Sequence, residues 1–492
     1  MSSALFSTDI NPRLGTLNTF PFLPLLPNLP NIVSEWASIV PLVCHLASFR
    51  DDYLTAGDVA LLGRISLGLF PKLGAIAGVA RLLERTPEFL DQASTRGGSS
   101  CTVWDVRWGS VFPCANGAAS AVLARFVRRR RRRRRRGERG VSTVVVMPET
   151  VEEMERELGQ QKRKQVPWGH GRRNTDDGEW NQDSDATTAV AEERKSEADE
   201  KPTAPTHFRR YQTLHVYSFG RSVQRGRPIG KRVEELRLSA LGRIMSFLLL
   251  VAIAVVLGLC GVYGTSAIIV CSAISSFAAQ SIDIQRPPGY LQNNEAHDAC
   301  MLVATHQNAL EWHLYIGDRG VVDSLLNKAM FMVPNQMGTK LALVTWWLKA
   351  ANALQLLGMT YVAAQKSWDG VCLVVLLSVN WLLRWGFRDA GLASRWLAQE
   401  GVEVDVKSFK FTGRMPMLGA IQIFTGTKIT SWMDDIIPPH PRREAWLKRI
   451  HGFDIDADGS WTSHDLSSIE TSYKFSMAAA KVLKRELNKK GV

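Results

Sequence analysis

Cysteine is scarce. There are seven in 492 residues, too few and too scattered for a disulfide framework. That excludes a small secreted module held together by cross-links. Cys260, Cys271 and Cys372 lie in apolar runs, where a thiol acts as a small hydrophobe. Cys101 and Cys114 are close enough to pair in an oxidising compartment, but two free thiols are the simpler expectation. The N-terminal segment, Met1 to Pro30, lacks a basic leader followed by a clean apolar core, so no cleaved signal peptide is expected. Chemical signatures are missing too. No glycine-rich phosphate loop follows a strand, and neither His-Glu-x-x-His nor Gly-x-Ser-x-Gly occurs. Nothing of that kind selects a catalytic class.

One stretch lacks charge altogether. From Ile244 to Ile282 there is no Asp, Glu, Lys or Arg. Its first half, Ile244 to Cys260, is apolar on every helical face, as in a core or in lipid. The run is about twice the ~20 residues of one crossing, so it predicts a hairpin turning near Gly261-Val-Tyr-Gly264. Ser266, Ser272, Ser275 and Ser276 suit close helix contact on the second leg. A second hairpin is predicted over 341–387. Leu341 to Ala364 carries Lys349, Asn352 and Gln355 along one side, and Gly370 to Leu383 follows, with Trp368, Trp381 and Trp385 as interfacial anchors.

Charge is segregated elsewhere. Sixty Lys plus Arg against 47 Asp plus Glu give +13. Nine consecutive arginines form Arg128–Arg136, and nine basic residues lie between Arg209 and Arg243. The arginine run reads first as a solvated charge block with no dedicated partner, and second, like Arg209–Arg243, as a contact for anionic lipid headgroups. Nucleic acid is the lesser expectation for the arginine run, which has no interleaved aromatics for base stacking. Basic flanks before Ile244 and after the second hairpin place both termini in the cytosol.

The sequence thus predicts a mainly α integral membrane protein, in the endoplasmic reticulum or plasma membrane. It would have about four transmembrane helices as two hairpins, a disordered linker and a small α+β C-terminal domain. The segments are 1–126, helical and amphipathic; 127–207, Arg-rich and disordered; 208–243, basic juxtamembrane; 244–282, the first hairpin; 283–340, a cytosolic helical loop; 341–387, the second hairpin; and 388–492, the C-terminal domain. Within the first, the proline-broken segment Thr19–Pro30 is extended. Ile32–Phe49 is a buried or interfacial helix, and Gly57–Leu90 forms amphipathic helices. From about Pro148 to His207 too little apolar surface is available for folding.

In the loop, Asn293 to Tyr315 matches a helical period through Ala296, Cys300, Val303, Ala304 and Leu310. His297, Asp298, His306, Glu311 and His313 fall on its other faces. Histidines beside carboxylates suit a metal or acid–base chemistry, but His297 and His306 are nine apart, and His306 and His313 are separated by two turns. A polar helix face is the simpler reading. A second helix is predicted over Val321–Phe331. Toward the C-terminus, Val402–Phe411 reads as a strand, Met415–Phe424 as its partner, Arg442–His451 as a helix and Ser476–Lys490 as a basic amphipathic helix.

Between those helices lies Asp454-Ile-Asp456-Ala-Asp458-Gly459-Ser460-Trp-Thr462-Ser-His-Asp465. It resembles an EF-hand or dockerin-type calcium loop. The resemblance implies Ca2+ held by Asp454, Asp456, Asp458, Ser460, Thr462 and Asp465 at loop positions 1, 3, 5, 7, 9 and 12, with Gly459 at the sharp turn. Asp465 stands where the family usually has a longer Glu, and Trp461 where it has an aliphatic residue, so affinity would be weak. From Leu291-Gln-Asn-Asn-Glu-Ala-His297 onward, with the paired apolar runs, the chain also resembles multi-pass membrane proteins of filamentous fungi, which implies a location and no activity. Three functions follow. The first is a non-enzymatic membrane protein that binds calcium; the second is a membrane enzyme using His297, Asp298, His306, Glu311 or His313; the third is a transporter subunit whose path is lined by Lys349, Asn352 and Gln355.

Overall fold

The computed structural model describes residues 30–47, 57, 59, 61, 65, 75–85, 88–89, 100–136, 144–164, 210–221, 229–282, 289–293, 295–328, 338–365, 368–383, 389–455 and 461–489. The extended Thr19–Pro30 segment, apart from its last residue, and most of the linker lie outside them. The fold is mixed α and β. Among the described residues there are seven strands in one sheet, β2-β1-β5-β6-β4-β7-β3, and thirteen α-helices. The strands are β1 Thr102–Asp105, β2 Val111–Pro113, β3 Val144–Val146, β4 Gln212–Arg221, β5 Ala299–Ala304, β6 Glu311–Gly317 and β7 Val402–Phe411. The mainly α expectation is therefore corrected. The chain divides into two compact units: 1–143 with 215–408 and 431–436, and 144–214 with 409–430 and 437–492.

In the first unit, β1, β2, β5 and β6 pair antiparallel. All six residues of β5 are buried, so both faces of the sheet are covered there. That explains why Ala299-Cys-Met-Leu-Val-Ala304 does not alternate: a strand buried on both sides reads as a continuous apolar run. The predicted helix over Asn293–Tyr315 is instead this β5–β6 hairpin. The sheet packs against α3 (Gly117–Arg136), α7 (Arg319–Leu326) and α10 (Asp389–Glu400) through Val103, Met301, Tyr315, Val122, Leu123, Val322, Leu325 and Trp396. The second predicted helix of the loop appears as α7, capped by Asp318, whose carboxylate accepts from Val321 N at 3.0 Å. Burying these side chains stabilises the fold by roughly 1.5–3 kcal/mol each for the large aliphatics.

A helical layer completes this unit: α1 (Asn31–Ala47), α2 (Ala75–Glu84), α5 (Ile229–Leu259), α6 (Tyr263–Gln280), α8 (Gly338–Gln365) and α9 (Trp368–Leu383). Leu250 and Ala254 of α5 pack with Ile268, Ile269 and Ala273 of α6, Met359 and Val362 of α8, and Leu373 of α9. The two predicted hairpins are thus present as helix pairs, but they are not spans: among the described residues no helix is long and apolar enough to cross a membrane. The physical reason lies in each leg. The neutral run turns at Gly261, whose φ of 84° suits glycine. This leaves α5 only Ile244–Leu259 as its uncharged part, below the ~20 residues a crossing needs. The next helix, α6, has 18 residues, with Thr265, Ser266, Ser272, Ser275, Ser276 and Gln280 among them. Lys349 interrupts α8, and α9 has 16 residues. The four-span topology, the cytosolic placement of both termini and the assignment to a membrane of the endoplasmic reticulum or cell surface lose their basis.

The second unit holds α4 (Val151–Lys164), α11 (Arg414–Thr425), α12 (Pro441–Ile450) and α13 (Ser463–Asn488). Residues 151–164 were expected to be unstructured, yet they form α4, which Arg485 of α13 pairs with through Glu157 at 2.9 Å. The predicted strand over Met415–Phe424 is α11. Pro416 sits in its first turn, where an absent N–H breaks no helical bond, so the proline opens this helix. In α12 and α13 the predicted C-terminal helices are found, α13 beginning earlier, at Ser463.

Candidate functional site

The densest polar chemistry lies on one face of the sheet. Alternation in β4 puts His215, Tyr217 and Phe219 on the same side, and alternation in β6 does the same for His313 and Tyr315. The rings form a ladder. His215 stacks on His313 at 5.4 Å between centroids, Tyr217 on Tyr315 at 5.1 Å and Phe219 on Tyr315 at 5.7 Å. Ser408 of β7 lies 2.9 Å from His215 Nδ1. Tyr217 OH lies 3.4 Å from His313 Nδ1. At the solvent end, Arg128 of α3 reaches His215 Nε2 at 3.4 Å and Glu311 at 3.3 Å.

Protonation follows from donors and acceptors. Arginine only donates, so His215 Nε2 accepts and its Nδ1 carries the proton toward Ser408. In that tautomer the Nδ1–H points at Ser408 Oγ. Burial, with the nearby His215 and Arg128 adding to it, lowers His313 to about 3, so it is neutral and accepts from Tyr217. Burial raises Tyr315 well above the usual tyrosine range. The ladder is a satisfied polar core with one charged pair at its rim.

A second buried cluster sits at the start of α7. Arg319 contacts Asp105 at 3.1 Å, Glu295 at 2.9 Å and Asp323 at 3.4 Å. Trp108 donates to Glu295 at 3.1 Å. Arg319 and Asp105 are both buried, and one guanidinium holds three carboxylates around it.

The residues singled out from sequence are dispersed. His297 and Asp298 lie before β5. His306 is in the β5–β6 turn, where Nδ1 accepts from Asn308 N at 3.1 Å. Glu311 and His313 are in β6, with Glu311 exposed and His313 facing the ladder. These five do not converge on one point, and among the described residues no group of three metal-ligating side chains is found. On α8, Lys349 pairs with Glu84 at 2.7 Å and Gln355 donates to Ser272 at 2.9 Å. Cys101 and Cys114 are free thiols.

Of the calcium-like loop, Asp454, Thr462 and Asp465 are described; Asp456, Asp458 and Ser460 lie outside the described residues. Asp454 pairs with Arg449 at 3.0 Å. Thr462 caps α13: its hydroxyl accepts from Asp465 N at 3.2 Å and donates to Asp465 Oδ2 at 2.7 Å. Asp465 also pairs with Arg442. The Thr462 hydroxyl and Arg442 hold the Asp465 carboxyl below the usual range.

The sequence reading missed His215, Tyr217, Ser408, Asp105 and Arg319. A weak signal existed beside the first two: Thr213-Leu-His215-Val216 alternates polar and apolar residues, the period of a strand. Asp105 and Arg319 are 214 residues apart and carry no local signal.

The helical layer carries a different feature. Large apolar side chains stand in solvent on α5 (Leu248, Leu249, Val255, Val256, Leu259), on α8 (Leu343, Trp346, Leu354, Leu357) and on α9 (Val375, Val379, Trp381). Trp36, Ile32 and Ile39 of α1 do the same. No protein-family model, no curated protein and no solved structure matches this chain.

Proposed function

We propose that the protein is a non-enzymatic binding protein whose helical layer rests on an anionic lipid surface from one side. The observation that carries this reading is the exposed apolar side chains of α1, α5, α8 and α9. Leu259, Leu343, Leu357 and Trp346 are 67%, 68%, 64% and 69% exposed. Exposed apolar side chains in such numbers mark an interaction site. Lipid is favoured as the occupant by what adjoins it. The same helix, α5, opens with Lys231, Arg232, Arg237 and Arg243 against Glu234 and Glu235 and continues into Ile244–Leu259, joining a net basic leg to an apolar one. Amphipathic elements at lipid interfaces combine these two features, and each Lys or Arg near an anionic leaflet contributes about 1 kcal/mol. Exposed Trp36, Trp346 and Trp381 suit the headgroup boundary, where an indole has both apolar and hydrogen-bonding surroundings.

The non-enzymatic part is supported by the ladder, where His313 is neutral and both His215 and His313 are committed to internal partners. Flotation of the full chain with vesicles of 30% phosphatidylserine in phosphatidylcholine tests the reading. Binding is expected, weakening with salt and lost in L249E/V256E/L357E. Cys260, exposed at the α5–α6 turn, should stay reactive to an impermeant maleimide added outside. A chain that stays at the bottom of the gradient as a stable dimer would overturn the reading and assign the apolar face to a second copy.

A further inference from the structure

We propose that the arginine end of α3 is a binding element for B-form duplex DNA that acts chiefly through the phosphates. The first part of α3 is rigidly seated: Ala119, Val122, Leu123 and Val127 are buried in the core of the first unit. Arg128 is held by Glu311 and His215. Beyond it Arg129 and Arg130 are exposed, and the helix continues to Arg136. A helix advances ~100° per residue, so positions 129–136 pass around the whole circumference. The partner must therefore offer negative charge on more than one side.

That geometry decides between the polyanions. A lipid surface is flat and meets one side of a helix. A helix at such an interface also needs an apolar face to sink, and Arg128–Arg136 has none. The DNA major groove is ~12 Å wide and lined by phosphates along both walls; a helix is ~10–12 Å across. Guanidinium forks match phosphate oxygens. Like charges three and four residues apart oppose this helix in isolation, so a partner that neutralises its full girth also stabilises it. Arginines along the groove walls grip phosphate oxygens and supply the affinity; those that face the groove floor have only guanine edges to pair with. The major groove of A-form RNA is too narrow for the same fit.

The test uses the full chain and R129Q/R130Q/R132Q/R133Q/R136Q, with equal melting temperatures required of the two. Anisotropy of a fluorescein-labelled mixed-sequence 20-bp DNA duplex is followed from 50 to 300 mM KCl. The wild type is expected to bind duplex DNA at least about tenfold more tightly than single-stranded DNA or duplex RNA of equal phosphate content. The variant is expected to lose about a hundredfold at 100 mM KCl. Its log–log salt slope should fall by about 4, since each phosphate contact contributes ~0.9. Unchanged binding by the variant, or equal affinity for single strands, would overturn the proposal. So would displacement of the duplex by phosphatidylserine vesicles at equal accessible phosphate from L249E/V256E/L357E, whose helical layer no longer binds lipid; that would assign the arginines to lipid.

Discussion

His313 sets the acid sensitivity of the first unit. Burial holds its pKa at about 3, against ~6.5 in an unfolded chain. The folded state therefore binds fewer protons, and stability rises with pH where the unfolded chain is protonated. The contribution is fully present above ~6.5 and is lost as pH falls from there toward the folded value, by a few kcal/mol in all. Thermal melts between pH 4 and 7.5 should show this limb, and His313→Phe should flatten it. An unchanged limb in the variant would place the acid sensitivity elsewhere. Arg319 is the second residue with a large expected effect. Removing it leaves Asp105, Glu295 and Asp323 facing one another beside a buried strand. Arg319→Gln should cost on the order of 3–5 kcal/mol, read by urea denaturation. Arg319→Gln with Asp105→Asn should recover part of it, because one buried charge is then removed.

Elements were legible where their signal was local. The strand at Val402–Phe411, the helix at Pro441–Ile450 and the second half of the helix at Ser463–Asn488 follow from alternation, from a proline cluster and from an amphipathic period, while the start of the last helix at Thr462 is hidden in a calcium-like loop. Two segments misled for physical reasons. Ala299–Ala304 is apolar throughout because both faces are covered, and a short continuous run fits a helix as well as a strand. Met415–Phe424 is equally short and apolar, and its proline at 416 reads as a strand edge until the start of the helix is known. The ladder was illegible because its rings come from β4 and β6, with Tyr217 and His313 96 residues apart and brought together only by the sheet. At this scale Thr462 gives a direct check. Its hydroxyl satisfies an α13 N–H and braces Asp465, so Thr462→Ala should cost about 1 kcal/mol and Thr462→Ser almost nothing. Gly317 gives another. It ends β6 at φ 112°, and a Cβ there would sit 2.0 Å from the Phe219 carbonyl oxygen. Gly317→Ala should therefore fail to fold or lose several kcal/mol, of the kind seen when a position in the left-handed region is also closely packed.

For the whole molecule the question is how one surface can be apolar without being core. Leu348 and Leu357 lie on the same helix, yet the first is fully buried against the sheet-facing core and the second is exposed. Hydrophobic pattern alone cannot separate them, which is why the layer reads as lipid-spanning in sequence. The two positions respond oppositely to substitution. Leu348→Ala removes buried methyl groups and should cost about 2–5 kcal/mol, with lipid binding retained by whatever fraction stays folded. Leu357→Glu meets no core atoms and should change stability by no more than ~0.5 kcal/mol, while weakening vesicle binding and raising solubility in lipid-free buffer. Paired melting and flotation measurements on the two variants thus separate a surface that binds from a surface that merely packs. If Leu357→Glu unfolded the chain as Leu348→Ala does, the exposed face would belong to the core of a larger assembly.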